Sequence, residues 1–366
     1  MAGIYVHIPF CHAKCAYCDF FSTPRMDLAE AVTDGIVGEF RARQGELQGR
    51  KADTVYFGGG TPSCLPLPLL QRITDALPLE DASEITIEVN PEDVSTESAA
   101  LWRRLGFNRV SMGVQSLVDD ELKAVGRRHS ARKALSAVSV LRGAGFENIS
   151  CDLIYGLPGQ SLISWECSLR RLLEENIEHL SAYSLSYEPG TRLTAMLSAG
   201  KIQAIEDDLV ADMYGYLCET ARMYGFEHYE ISNFAKPGFR SRHNSSYWTN
   251  TPYLGLGPGA HSMDATGTRR AAPPSVKKWL EFGAQIEPET AIDRINDTII
   301  TGLRTSEGLS LDFMTDKRLR DCVLRQASDH IARGGIIETH GRLIIPEHKW
   351  LVSDAIMRDL LIDDNY

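Results

Sequence analysis

Three cysteines lie within eight residues, Cys11-His-Ala-Lys-Cys15-Ala-Tyr-Cys18, in the spacing C-x3-C-x2-C. Thiolates this close can fold round one metal centre. They can bind three corners of a four-iron cluster and leave the fourth iron open to a ligand, which makes that iron a place for chemistry. The spacing also admits a zinc site, but structural zinc fills four positions; the nearest other cysteine is Cys64, and His7 or His12 would have to supply the missing ligand. The remaining cysteines, Cys64, Cys151, Cys167, Cys218 and Cys322, are scattered and read as small packed hydrophobes.

Other residues able to do chemistry close a series of apolar runs. One run ends in Gly58-Gly59-Gly60-Thr61-Pro62, whose glycines let backbone groups approach a charged ligand closely. Glu88 in ITIEVNP, Gln115 in SMGVQS, Asp152 in CDLIYGLPG and Ser186 in SAYSLSYEP close others. Arg127 and Arg128 are adjacent, and either could reach a carboxylate. Further along, Arg242-His243-Asn244-Ser245-Ser246-Tyr247-Trp248 offers an imidazole for haem iron and two flat rings, Tyr247 and Trp248, to pack on a porphyrin. Taken alone, a histidine is ordinarily a structural or surface residue. No C-x-x-C-H occurs, so c-type attachment of haem is not indicated. The stretch GLGPGAHS reads as a tight loop, with His261 a weaker second haem or substrate contact.

These residues need elements to position them. Strand-like runs at Gly3 to Ile8, Thr54 to Phe57, Ile85 to Asn90, Arg109 to Val114, Ile149 to Tyr155 and Leu180 to Tyr187 alternate with amphipathic stretches such as Leu28 to Arg43, Thr96 to Leu105, Ala131 to Ala144 and Trp165 to Glu175. Strict alternation predicts parallel strands with right-handed crossovers, an α/β fold of open-sheet or barrel type. Active sites of parallel barrels gather at the C-terminal strand ends, so residues far apart in sequence can converge there. A seventh extended run, His228 to Phe234, follows a long helix from Ile205 to Tyr224. The spacing then predicts three segments: a barrel over 1–234, a Gly- and Pro-rich connecting region over 235–287, and a smaller helical domain over 288–366. In the last, a helix from Lys317 to Arg333 and a hairpin turning at Thr339 to Gly341 resemble a winged helix. Six basic and five acidic residues between Asp312 and Arg342 favour a packing or docking role there over DNA binding.

With 49 acidic against 38 basic side chains the formal charge is -11, which repels a phosphate backbone and argues against nucleic acid as a partner. The first ten residues lack the basic start and cleavage site of a signal peptide, and no run reaches the ~20 apolar residues of a membrane helix, so the expected location is cytoplasmic. In that reducing compartment a cysteine cluster points to metal or redox chemistry rather than disulfides.

YVHIPFCHAKCAYCDFF resembles the cluster loop of the radical S-adenosylmethionine (SAM) superfamily. The resemblance implies a partial (β/α)6 barrel, a [4Fe-4S] cluster on Cys11, Cys15 and Cys18, and SAM on the open iron. It sets Tyr17 near the adenine and the glycine motif at the methionine amino group. Similarity to the coproporphyrinogen III oxidase-like branch covers nearly the whole chain and implies SAM contacts from Tyr5, Gly59, Gly60, Thr61, Glu88, Gln115, Arg127 and Asp152, with Ser186 a further strand-end candidate. Two departures separate the chain from the oxidase: Cys18-Asp19-Phe20 lacks a fourth cysteine two places after the third, and the first strand begins almost at Met1 where the oxidase carries an extension. The pattern H-N-x-x-Y-W instead matches the haem-chaperone members of the branch, implying haem at His243, Tyr247 and Trp248. The expected partners are haem-accepting proteins, with peripheral contact to membrane-bound acceptors, and an electron donor for the cluster. The alternative is a radical enzyme, such as an oxygen-independent coproporphyrinogen III oxidase.

Overall fold

The computed structural model describes residues 1–314 and 316–363; the last three residues of the expected C-terminal domain lie outside it. Six parallel strands, β1 (Ala2–Ile8), β2 (Ala52–Gly59), β3 (Glu84–Val89), β4 (Arg109–Gln115), β5 (Asn148–Tyr155) and β6 (His179–Ser184), pair in sequence order. The crossovers carry helices α1 (Ala29–Arg43), α2 (Leu67–Ala76), α3 (Thr96–Arg104), α4 (Asp119–Ala124), α5 (Ala131–Gly143) and α6 (Leu162–Leu173). This is the expected partial (β/α)6 barrel, each element within a few residues of its predicted bounds.

The two faces of the sheet differ in chemistry. Ile4, Val6 and Ile8 on β1, Val55 and Phe57 on β2, and Ile85 and Ile87 on β3 face the helices and are buried with Ile36, Leu70, Trp102 and Leu141. Each such side chain contributes about 1.5–3 kcal/mol of burial, so this face holds the sheet together. The alternate residues turn inward, because successive side chains of a strand point to opposite faces. They are Gly3, Tyr5 and His7 on β1, Thr54, Tyr56 and Gly58 on β2, Glu84, Thr86 and Glu88 on β3, Arg109, Ser111 and Gly113 on β4, and Ser150 and Asp152 on β5. Register sets Gly3 beside Thr54, Tyr5 beside Tyr56 and His7 beside Gly58. The barrel interior is therefore a set of polar files running from the N-terminal ends of the strands, its floor, to the C-terminal ends.

Two expectations about the later chain are corrected. The single extended run at His228 to Phe234 is a hairpin, β7 (Glu227–Glu230) and β8 (Asn233–Ala235), which follows α7 (Arg192–Ser198) and α8 (Asp207–Met223) and pairs antiparallel with β6 through β8. The Glu230 carboxylate accepts the backbone N–H of Ser232, closing the turn. The segment 235–287 is no linker. It carries α9 (Arg242–Trp248), β9 (Tyr253–Leu256), β10 (His261–Met263), β11 (Arg269–Ala271), α10 (Val276–Phe282) and β12 (Gln285–Ile286). β9 pairs parallel with β1, and β10 to β12 add antiparallel strands beyond it. Backbone crowds backbone at Gly257, where φ is +99° and a Cβ would lie 2.5 Å from the carbonyl oxygen of His7.

The C-terminal part runs α11 (Ala291–Leu303), β13 (Leu309–Ser310), α12 (Lys317–Ala332), β14 (Ile337–Thr339), β15 (Arg342–Ile344) and α13 (Ser353–Asp359), with β13, β15 and β14 in one antiparallel sheet. Helix, strand, helix and hairpin in this order give the winged-helix-like arrangement. The hairpin turns on His340 and Gly341, both at positive φ, the two-residue turn whose twist suits a right-twisted ribbon.

Candidate functional site

The loop after β1 is clamped on both flanks. The Cys11 N–H donates to Thr23 O (3.2 Å) and the Thr23 N–H to Pro9 O (2.7 Å); on the far side Ala16 donates to Val125 O (2.9 Å) and accepts from the Leu193 N–H (2.7 Å). Cys11, Cys15 and Cys18 thereby line one wall of a cleft of about 450 Å³ at the C-terminal end of the barrel. The eight cysteines are all free.

His7 and His12, the alternative zinc ligands, are engaged elsewhere. His7 is buried, its Nε2 3.0 Å from Phe21 O and its Nδ1 3.2 Å from the Tyr5 hydroxyl, while His12 pairs with Asp93 at 3.4 Å. Among the described residues, the group of three ligand atoms all within 4.8 Å of one another is Cys218, His228 and Glu347; the three loop thiols are spread wider than that, and wider than thiolates around a single zinc ion.

The glycine motif lines the cleft beside the cysteine loop. Gly59 has φ +108°, and a Cβ there would come within 2.6 Å of the His7 ring; at Gly60 it would lie 2.5 Å from Phe10 O. These glycines are required first by the approach of β2 to the cysteine loop, and only then by any ligand. Thr61, Glu88, Gln115, Asp152 and Ser186 all line the same cleft, as do Tyr17 and Arg127. Arg128 is exposed, so Arg127 is the arginine that faces the site. Its guanidinium donates to Asn90 Oδ1 (2.7 Å) and Gly113 O (2.5 Å) and lies 3.5 Å from Cys15 Sγ, where it can neutralise a thiolate. Gln115 adopts φ +68°, a left-handed conformation held at the last position of β4.

Glu88 and Asp152 are two of the four carboxyls that line the cleft, with Asp19 and Glu188. Burial, with the neighbouring Asp152 charge adding to it, pushes Glu88 up to about 7, while burial raises Asp152 to about 6. Glu88 Oε1 accepts from the Tyr56 hydroxyl at 2.8 Å and Oε2 from the Gly59 N–H at 3.2 Å. Ser111 donates to Asp152 at 3.3 Å. Asn90, Ser111 and Tyr183 line the cleft without having been expected there. The signal that could have found two of them is the two-residue period, since Asn90 follows Glu88 by two and Ser111 precedes Gln115 by four.

Tyr5 is set one layer deeper than expected for a SAM contact. Its ring lies against Tyr56 (centroids 6.2 Å apart) and His243 (6.4 Å) rather than in the cleft wall. His243, Tyr247 and Trp248 belong to α9, which closes the barrel floor at the opposite end from the cysteines. Both backbone N–H groups that begin α9, those of Arg242 (3.0 Å) and His243 (2.9 Å), donate to the buried carboxylate of Glu84, the first residue of β3. The His243 ring is fully enclosed: Nδ1 is 2.8 Å from Thr54 Oγ1, Nε2 is 2.9 Å from the Tyr247 hydroxyl, and Tyr56 stacks on its face at 5.1 Å. Burial, with Arg109 nearby, holds the ring neutral by lowering it to about 3. Tyr247 meets Tyr253 edge-on at 4.7 Å, and the Arg304 guanidinium lies over the Trp248 ring at 4.9 Å. In this arrangement neither ring nitrogen of His243 is free, so ligation of haem iron there requires α9 to leave the floor. His261 is exposed and pairs with Glu287 at 3.3 Å.

The family described as the radical SAM superfamily matches residues 5–172. The solved structure of coproporphyrinogen III oxidase (HemN) from Escherichia coli superposes with a TM-score of 0.83 over 98% of this chain and 90% of that one, at 23% identity, which is likeness of fold. Fold and cleft together define a radical SAM protein. Heme chaperone HemW of Bacillus subtilis is 33% identical, covering 95% of this chain and 96% of its own, and Heme chaperone HemW of Lactococcus lactis is 39% identical, covering 86% and 84%. The chain belongs to the HemW family. The cluster and SAM that this superfamily implies suit the donor set present: three free thiols, a guanidinium beside one of them, and a cleft of about 450 Å³ lined by carboxyl, amide and hydroxyl side chains.

Proposed function

We propose that this protein is a haem chaperone: it binds a [4Fe-4S] cluster through Cys11, Cys15 and Cys18, SAM in the adjoining cleft, and haem through His243, and it passes haem to acceptor haem proteins. Full-length similarity to the HemW relatives supports the reading. The observation that carries it to residues is the place of His243, which sits on a seven-residue helix beside the Tyr56 and Tyr247 rings. A helix this short holds its place through its contacts rather than by itself, so α9 can be exchanged between the floor and a haem-bound position.

At the other end, Arg127 sets a guanidinium beside Cys15, Glu88 and Asp152 offer acceptors to a sugar or amino group, and Tyr17 a ring face to a base. A SAM-liganded cluster supplies, when reduced, a route to a 5'-deoxyadenosyl radical. Haem delivery itself calls for no such step, and the cluster end then serves as a switch or as docking structure. Among the described residues no helix is long and apolar enough to cross a membrane, so contact with membrane-bound haem acceptors would be peripheral. The test is haem titration of the anaerobically reconstituted protein. His243→Ala should weaken haem binding about tenfold or more while leaving cluster absorbance intact; undiminished binding removes His243 from the haem site.

A further inference from the structure

The two ends of the barrel are joined by one continuous file of side chains. Thr54, Tyr56 and Gly58 are successive inward positions of β2. Thr54 meets His243 Nδ1 at 2.8 Å, Tyr56 stacks on the His243 ring at 5.1 Å and donates to Glu88 at 2.8 Å, and Glu88 accepts from the Gly59 N–H at the cleft. Gly58 makes this closure possible, since a Cβ there would lie 2.9 Å from Tyr56 Cε1 and 3.0 Å from Glu88 Oε1. The floor contact and the cleft contact of the file are thus two ends of the same tyrosine. When the His243 ring withdraws, one face of Tyr56 loses its support, and the hydroxyl that fixes Glu88 is free to follow the ring.

We infer that Tyr56 is a positioning residue coupling the floor helix to the SAM cleft, so that haem taken up by His243 weakens SAM binding and SAM in turn weakens haem binding. The inference rests on the haem role proposed for His243 and on Glu88 as a SAM contact. Because linkage is reciprocal, each ligand must change the other's affinity by the same factor.

Glu88 provides a readout that a merely structural role of Tyr56 would not move. It is held near 7, and the groups that act on it from the surrounding strands and from α9 are Tyr56, Asp152, Arg109, Tyr5, Tyr183 and Tyr247. The Tyr56 hydroxyl favours the charged carboxylate, so removing it drives Glu88 upward.

The experiment measures SAM affinity of the anaerobically reconstituted full chain between pH 6 and 8, for the wild type, Tyr56→Phe, His243→Ala and the double variant, each with and without haem. Tyr56→Phe keeps the ring and the stack and removes only the hydroxyl. It should weaken SAM binding about five- to tenfold at pH 7 and move the pH midpoint of binding upward. His243→Ala should act in the same direction, and the double variant should be no worse than Tyr56→Phe, because both act through one contact. Gly3→Ala offers an independent push on the same ring, its Cβ coming within 3.2 Å of His243 Cε1. Saturating haem should weaken SAM severalfold in the wild type and have little effect in Tyr56→Phe. SAM affinity within twofold of wild type in both single variants, with an unmoved midpoint, overturns the coupling. Failure of haem to bind the wild type overturns the chaperone reading instead, and the variants without haem still decide whether floor and cleft are coupled.

Discussion

Replacing Glu84 by glutamine should release α9 from the barrel floor. The carboxylate accepts two backbone N–H groups at the start of the helix, at 3.0 and 2.9 Å, while itself 4% exposed. Glutamine keeps one acceptor oxygen and turns an NH2 group towards the second N–H, so one charge-assisted hydrogen bond is lost and a donor is left facing a donor. Hydrogen bonds to charged groups are worth about 1.5–3 kcal/mol. With ~1.4 kcal/mol per factor of ten, the equilibrium for opening α9 should rise about 10- to 100-fold. The seven residues of α9 cannot retain helical structure on their own once undocked. Amide hydrogen exchange of residues 242–248 measures that opening directly, with the amides of β2 and β5 as the internal reference for intact folding. If opening also limits access to His243, haem should associate faster by a comparable factor, since apparent binding scales with the fraction of competent protein. Unaltered exchange in α9, in a variant whose reference amides remain protected, would refute the assignment of Glu84 as the clasp of the floor helix.

Two further outcomes follow from the geometry. Gly59→Ala combines a Cβ within 2.6 Å of the His7 ring with a backbone φ of +108°, a cost of roughly 2–5 kcal/mol; thermal unfolding should fall and iron per chain after reconstitution should drop, and normal values of both would show that His7 yields. His243 is lowered from its ordinary 6.5 to about 3, so its contribution to the closed floor is fully present above the ordinary value and is lost as pH falls towards 3. At pH 5 that amounts to about 2 kcal/mol, and α9 exchange, corrected for the intrinsic pH dependence, should rise on going from pH 7 to 5 in the wild type but not in His243→Ala.

The cysteine loop and the strand ends were legible because both are local in sequence: ligand spacing and the alternation of strand with helix need no knowledge of the tertiary fold. The extension of the sheet through 235–287 was not, because β10, β11 and β12 are two or three residues long, too short to show a two-residue period, and the glycines between them look like loop. The floor helix is the more instructive case. RHNSSYW is mostly polar and the resemblance implies haem at His243, yet His243 is 1% exposed, because the cavity it fills is itself polar. That polarity was written into the strands: in GIYVHI the outward positions are all aliphatic, and Gly3, Tyr5 and His7 face inward. Read with that period, Tyr5 belongs with Tyr56 and His243 below the cleft, where the structure has it, rather than among the residues of the cleft wall.

The central claim is delivery of haem, and its most direct test mixes the anaerobically reconstituted protein, loaded with one haem per chain and supplied with SAM and reductant, with an apo haem protein while acceptor absorbance and 5'-deoxyadenosine are followed together. Transfer of haem to the acceptor, without matching formation of 5'-deoxyadenosine and without conversion of coproporphyrinogen III when that is offered instead, is the predicted result. Retained or unbound haem, together with protoporphyrinogen IX formed in step with 5'-deoxyadenosine, would contradict the account and make this protein an oxidase.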